Sequence, residues 1–161
     1  MAISVTINNK TFNIPVAGQD PGWGEDTTSW ILEINSLVSS LFGAGDIVES
    51  SSNIANNQTT SQNVIALLFD PSIIRAAVVE YSVYRVSDET PSGTVETGTL
   101  ELVYDNNASG GSKWQLAREF VGDANISIDI TDAGQLTYQS GNIGSTNYSG
   151  VIKFKARALS Q

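Results

Sequence analysis

The sequence predicts a mainly β protein: an N-terminal β-hairpin and one short helix, followed by a seven-stranded antiparallel β-sandwich or flattened barrel. Three observations lead there. From Val64 onward apolar residues recur with a period of two, the spacing that puts one face of a strand on a core. The segments carrying that period are separated by turn chemistry rich in Gly, Pro, Asn and Asp. Only one stretch, close to residues 27–42, has its apolar residues at helical spacing instead.

Ile3 to Ile7 and Thr11 to Pro15 alternate around Asn8-Asn9-Lys10, which reads as a hairpin, and Ala17 to Gly22 is loop sequence. The helix is expected over Thr27 to Phe42. Asp26 or Thr27 caps its first turn, Glu25 and Asp26 suit its positive dipole end, and Gly43 is the permissive residue beyond its last turn. Ile31, Ile34, Val38 and Leu41 follow at spacings of three, four and three, flanked by Trp30 and Leu37. That is the seam of a coiled coil, and β-branched residues at both kinds of seam position favour three or four strands over two. The expectation is a homotrimer, with Trp23 and Trp30 as large anchors. The competing reading packs the same stripe onto the chain's own sheet.

Residues 1–49 therefore read as an anchoring and oligomerisation module. Residues 50–63, with Ser50-Ser51-Ser52-Asn53 and Asn56 to Asn63, carry too little apolar surface to fill a core and read as a polar linker or arm. Residues 64–161 form the β-domain. Val64 to Phe69 is a buried type of strand ended by Asp70-Pro71. Ile74 to Val86 places Ala77, Val79, Tyr81 and Val83 on one face and Ala76, Val78, Glu80, Ser82 and Tyr84 on the other. Strands follow at Val95 to Tyr104, Lys113 to Phe120, Asn125 to Thr131, Gln135 to Gln139 and Val151 to Leu159. Connections this short exclude parallel crossovers, so neighbouring strands run antiparallel.

Composition removes whole classes of function. The 161 residues contain neither cysteine nor histidine, which excludes a disulfide framework, a thiolate nucleophile and any triad built on imidazole, together with the commonest zinc ligands. The net charge of −9 repels nucleic acid, and the nearest basic patch is Lys153, Lys155 and Arg157 on one face of the last strand, a solvated face beside acidic neighbours. No apolar run reaches membrane-spanning length and the N-terminus lacks the features of a signal peptide, so the expected product is a soluble chain made in the host cytoplasm. Glu80, Glu101, Glu119 and Asp129 lie inside strands but on or beside polar phases, which gives no acid–base pair. Asp123, Asn125, Asp129 and Asp132 cluster near a turn without the spacing of a calcium loop. No catalytic residue, cofactor or metal is expected.

The stretch Thr6 to Pro15, followed by Pro21-Gly22-Trp23-Gly24-Glu25-Asp26-Thr27-Thr28-Ser29-Trp30, resembles the N-terminal module of virion structural proteins of tailed bacteriophages. The segments Asn53 to Gln58, Phe69-Asp70-Pro71, Ala76 to Arg85, Gly134 to Tyr138 and Phe154 to Arg157 are similar to a β-domain of phage tail-associated and surface proteins. The resemblance implies a non-enzymatic structural protein on the virion surface, whose partners are its own copies and the major capsid protein or a tail protein. Related fibres carry long repeats after the anchor and this chain carries one β-domain, which suits a trimeric capsid decoration or head-spike protein. The alternative is a tail-fibre or receptor- or glycan-binding appendage module presenting Tyr81, Tyr84, Tyr104, Tyr138, Tyr148 or Trp114.

Overall fold

The computed structural model describes residues 3–7, 10–14, 28–36, 43–109 and 112–161. It divides into two compact units, Met1–Gly43 and Ala44–Gln161. In the first, β1 (Ile3–Ile7) and β2 (Lys10–Ile14) pair antiparallel from Ile3 opposite Ile14 to Ile7 opposite Lys10, the expected hairpin. A helix, α1, covers 28–36. Trp23, Val38 and Leu41, and with them the second half of the expected seam, lie outside the described residues.

The second unit is an antiparallel β-sandwich of eight strands: β3 (Ile47–Asn53), β4 (Gln58–Leu68), β5 (Ile74–Val86), β6 (Thr94–Tyr104), β7 (Trp114–Gly122), β8 (Ile126–Ile130), β9 (Gln135–Ser140) and β10 (Ser149–Ser160). Five strands in the order β3-β10-β5-β6-β7 face three in the order β4-β9-β8. All seven strands read from the period of two are present, and the two layers stay separate sheets instead of closing into a barrel.

One expectation is corrected. Residues 50–63 are not a linker or arm: they contain most of β3 and the first half of β4, and the boundary between compact units falls at Gly43 and Ala44 instead of near residue 50. The physical reason is that both are edge strands, β3 of the larger sheet and β4 of the smaller. An edge strand is held by main-chain pairing to one neighbour, such as Val151 opposite Asn53 and Phe154 opposite Ser50, and needs few apolar side chains of its own. Between them Ile54 is fully buried, and the Ser52 hydroxyl accepts the Ile65 N–H at 3.1 Å, tying one sheet to the other.

The core is the inward phase of each strand. Val79, Tyr81 and Val83 of β5, Leu100 and Leu102 of β6, and Ile152 and Phe154 of β10 meet Val64 and Leu67 of β4, Ile128 and Ile130 of β8, and Leu136 and Tyr138 of β9. Trp114 closes one end, its ring 5.1 Å from Tyr104 and 6.4 Å from Phe69. The turn from β8 to β9 depends on Gly134, at φ 84°, whose carbonyl accepts the Phe69 N–H at 3.0 Å; a Cβ there would collide with the Phe69 carbonyl oxygen.

Candidate interaction surface

The period of two that fills the core also determines what the five-stranded sheet shows on its other side. Residues of β10, β5 and β6 stand in rows there. Leu159, Ala76 and Val103 form one end, and next to them come Arg157, Val78 and Glu101. The middle rows are Lys155, Glu80 and Thr99, then Lys153, Ser82 and Thr97; Val151, Tyr84 and Val95 form the opposite end. Val78, Val103, Leu159, Tyr84 and Val95 are all exposed, at 44% to 70% of their full accessibility. This outward face is therefore apolar at both ends and polar across the middle. Charges there are largely paired: Lys155 Nζ lies 2.8 Å from Glu80 Oε2, and Arg157 Nη1 lies 3.1 Å from Asp46 Oδ2. The exposed Lys155–Glu80 pair contributes little to stability, whereas the Asp46 carboxylate is buried and also accepts the Ala158 N–H at 2.7 Å; both pairs fix the charge pattern that a partner meets.

Beneath this face lie two buried polar groups that the sequence did not announce. Arg85 is wholly buried, on the same phase as Tyr81 and Val83. Its guanidinium donates through all five N–H groups to neutral oxygens. Nε reaches Tyr148 Oη at 3.0 Å, Nη1 the carbonyls of Ala124 and Asn125 at 2.7 and 2.9 Å, and Nη2 the Gly141 carbonyl at 2.6 Å and Asn56 Oδ1 at 3.1 Å. A buried cation without a carboxylate is tolerable only when every donor is satisfied, and here each is. The second group is Glu96, 1% exposed, on the phase of Gly98 and Leu100. It accepts from the Tyr81 hydroxyl at 2.7 Å and forms an ion pair with Arg118, whose Nε donates to the Tyr81 oxygen at 2.8 Å. Burial pushes the Tyr81 hydroxyl up to about 12, with Arg118 opposing and Glu96 adding to the shift. The readable signal for both groups was strand phase: a charged residue in step with core residues must find partners inside.

Of the anchoring residues expected from sequence, Trp30 and Ile31 are exposed at 38% and 56%, and Ile34 is half-buried. Trp23, Val38 and Leu41 are not among the described residues. Of the aromatics that a binding face would show, Tyr81, Tyr138 and Trp114 are core residues, Tyr104 and Tyr148 are half-buried, and Tyr84 stands exposed. Glu80, Glu101, Glu119 and Asp129 point outward. Among the described residues no three carboxylates gather as metal ligands, and Asp123 and Asp132 instead accept backbone N–H groups in turns, from Asn125 at 2.7 Å and Lys113 at 2.9 Å. No helix among the described residues is long and apolar enough to cross a membrane.

No protein-family model matches the chain, and no curated protein does. Among solved structures, the Acinetobacter phage vB_ApiP_P1 tailspike protein aligns with a TM-score of 0.44 and 13% identity over 69% of this chain and 22% of its own. The Acinetobacter baumannii phage AM24 tailspike protein aligns with a TM-score of 0.33 and 10% identity over 72% of this chain and 26% of its own. The chain spans about a quarter of the length of these tailspike structures.

Proposed function

We propose that this chain is a non-enzymatic structural component of a tailed-bacteriophage virion, carried on a tail appendage of the fibre or spike type. The reading rests on the sequence resemblance to phage tail-associated and surface proteins. The structural observation that supports it is the outward face of the five-stranded sheet, where apolar ends flank a charge-paired middle on a rigid sandwich. Such a face binds protein by shape and burial, and needs no reaction. Its strand carboxylates belong to that surface, Glu80 being tied to Lys155.

The N-terminal unit supplies a second contact. Trp30 and Ile31 stand exposed on α1, and we assign to this stripe the joining of copies, with three as the number its seam pattern favours. Repetition then multiplies modest contacts through avidity. The proposal is tested by locating the protein in intact particles, using electron microscopy with an antibody against the purified chain. Label on the tail supports it. Label on capsid facets would replace it with the head-decoration reading, and particles free of label would overturn a virion role altogether.

A further inference from the structure

The outward face of the five-stranded sheet complements itself. Consider a second copy laid face to face on the first, related by a two-fold axis running along β5. The rows keep their height, β5 lies over β5 of the second copy, and β10 lies over the second copy's β6. Leu159 then meets Val103, and Val151 at the far end meets Val95, so the apolar ends coincide. Arg157 meets Glu101, because the two share a row on opposite sides of Val78. On the axis Val78 meets Val78 and Tyr84 meets Tyr84. The one like-charge contact is Glu80 against Glu80, and each carries its own Lys155 at 2.8 Å, so the four groups form a neutral cluster. Arg157, already hydrogen-bonded to Asp46 at 3.1 Å, has a five-donor fork that serves both carboxylates. Glu119 and Glu49 flank the pattern, with Lys153 and Lys155 nearby on β10.

We propose that this face is an isologous interface between two copies of this chain, aligned as stacked sheets are. Two sheets with native twist stack about 10 Å apart at roughly 30°, and near the axis that rotation displaces opposing rows by less than a residue spacing. At the spacing of strands and rows, the paired region covers roughly 500 Å² per copy, about 1,000 Å² in total, which is the threshold of a specific interface and below the standard size. A translation of one strand loses the agreement: with β10 over β7, Arg157 meets Ala117 and Lys153 meets Val121. Self-complementarity at one register is what a two-fold contact requires.

The absence of cysteine makes the test clean. Val78→Cys in the full chain places two thiols across the axis on backbones about 10 Å apart, too far for a disulfide, and a short bis-maleimide reagent that spans the gap gives a cross-linked pair on a denaturing gel. Val121→Cys, more exposed than position 78 but off the axis, does not at the same dilute concentration. Arg157→Glu and Glu101→Arg each put like charges together and weaken pairing by about tenfold or more, read by sedimentation velocity. Mixed in equal amounts, the two variants restore both contacts and recover the pairing of the parent chain. Arg157→Glu also disturbs Asp46, so Glu101→Arg is the variant whose unchanged thermal unfolding shows that fold and pairing are separable. The proposal is overturned if Val78→Cys stays unlinked, as it would with another protein or the N-terminal unit on this face, or if the mixture pairs no better than its components. Neither readout depends on where the protein sits in the particle.

Discussion

Replacing Arg85 by Met is the sharpest test of how the sandwich is held, since an unbranched apolar stem is kept while the guanidinium, with its donors, its charge and its buried volume, is lost. The structure allows the damage to be apportioned. Of the five oxygens served by Arg85, the Asn125 carbonyl still accepts the Gly141 N–H at 3.0 Å, and Asn56 Oδ1 still accepts the Ile143 N–H at 3.1 Å. The Tyr148 hydroxyl still donates to the Ile54 carbonyl at 2.7 Å. The Gly141 carbonyl keeps only a long bond from Asn57 at 3.4 Å, and the Ala124 carbonyl loses its sole described partner. One orphaned carbonyl costs about 1–3 kcal/mol, and each charge-assisted bond lost from the others adds about 1 kcal/mol or more, offset by no longer burying a charge. The expected loss is about 3–5 kcal/mol. Urea unfolding measures it, followed by tryptophan fluorescence in a Trp23→Phe, Trp30→Phe background that leaves the buried Trp114 as the reporter. Arg85→Lys, with three donors for five oxygens, falls between the two. A Met variant within about 1 kcal/mol of the parent would refute the reasoning, because the guanidinium would then be filling space and not tying loops together.

Alkaline pH gives a second handle. The Tyr81 hydroxyl is held at about 12, above its ordinary value near 10. The unfolded chain therefore gives up its proton first: this stability is intact below about pH 10 and is lost as pH rises toward 12, by roughly 2–3 kcal/mol. Unfolding curves at pH 8 and 11.5 measure the slope, and Tyr81→Phe should flatten it; an unchanged slope in Tyr81→Phe counts against the assignment. Gly134→Ala forces a side chain into the left-handed region and against the Phe69 carbonyl; it should cost more than the roughly 1–2 kcal/mol of the backbone conformation alone, and thermal melting within 2 °C of the parent would show that the turn yields. Ile34→Asp places a charge in the helix stripe and should lower the mass found by light scattering while leaving the β-unit's melting unchanged; an unchanged mass would remove the helix from assembly.

The fold class was legible because alternation is a geometric consequence of the pleat. Every strand with a strong apolar phase, from Val64 to Leu159, stands within a few residues of where that phase places it. What alternation could not show were elements whose stability comes from the main chain. The first half of β4, Gln58 to Asn63, pairs with β9 through Gln58 opposite Ser140 and Gln62 opposite Tyr138, and the side chains record almost nothing of it. Nor does polarity alone distinguish an arm in water from an edge strand. Arg85, Glu96 and Arg118 were legible in principle, being in step with Val83, Leu100 and Leu116. Their partners were not, since Asn56, Ala124 and Gly141 reach Arg85 from loops far apart in the chain.

The larger sheet is threaded so that its last-made strand lies in its interior: β10 sits between β3 and β5. A ribosome therefore releases residues 149–160 after everything they must join, and until then β3 has no neighbour in its sheet and β5 has one side open. β5, β6 and β7 can join as successive hairpins, but the layer is complete only when β10 inserts between the waiting edges of β3 and β5. Nascent chains stalled before residue 149 should be protease-sensitive throughout β3, and nonsense alleles within codons 149–160 should be as damaging as those far upstream.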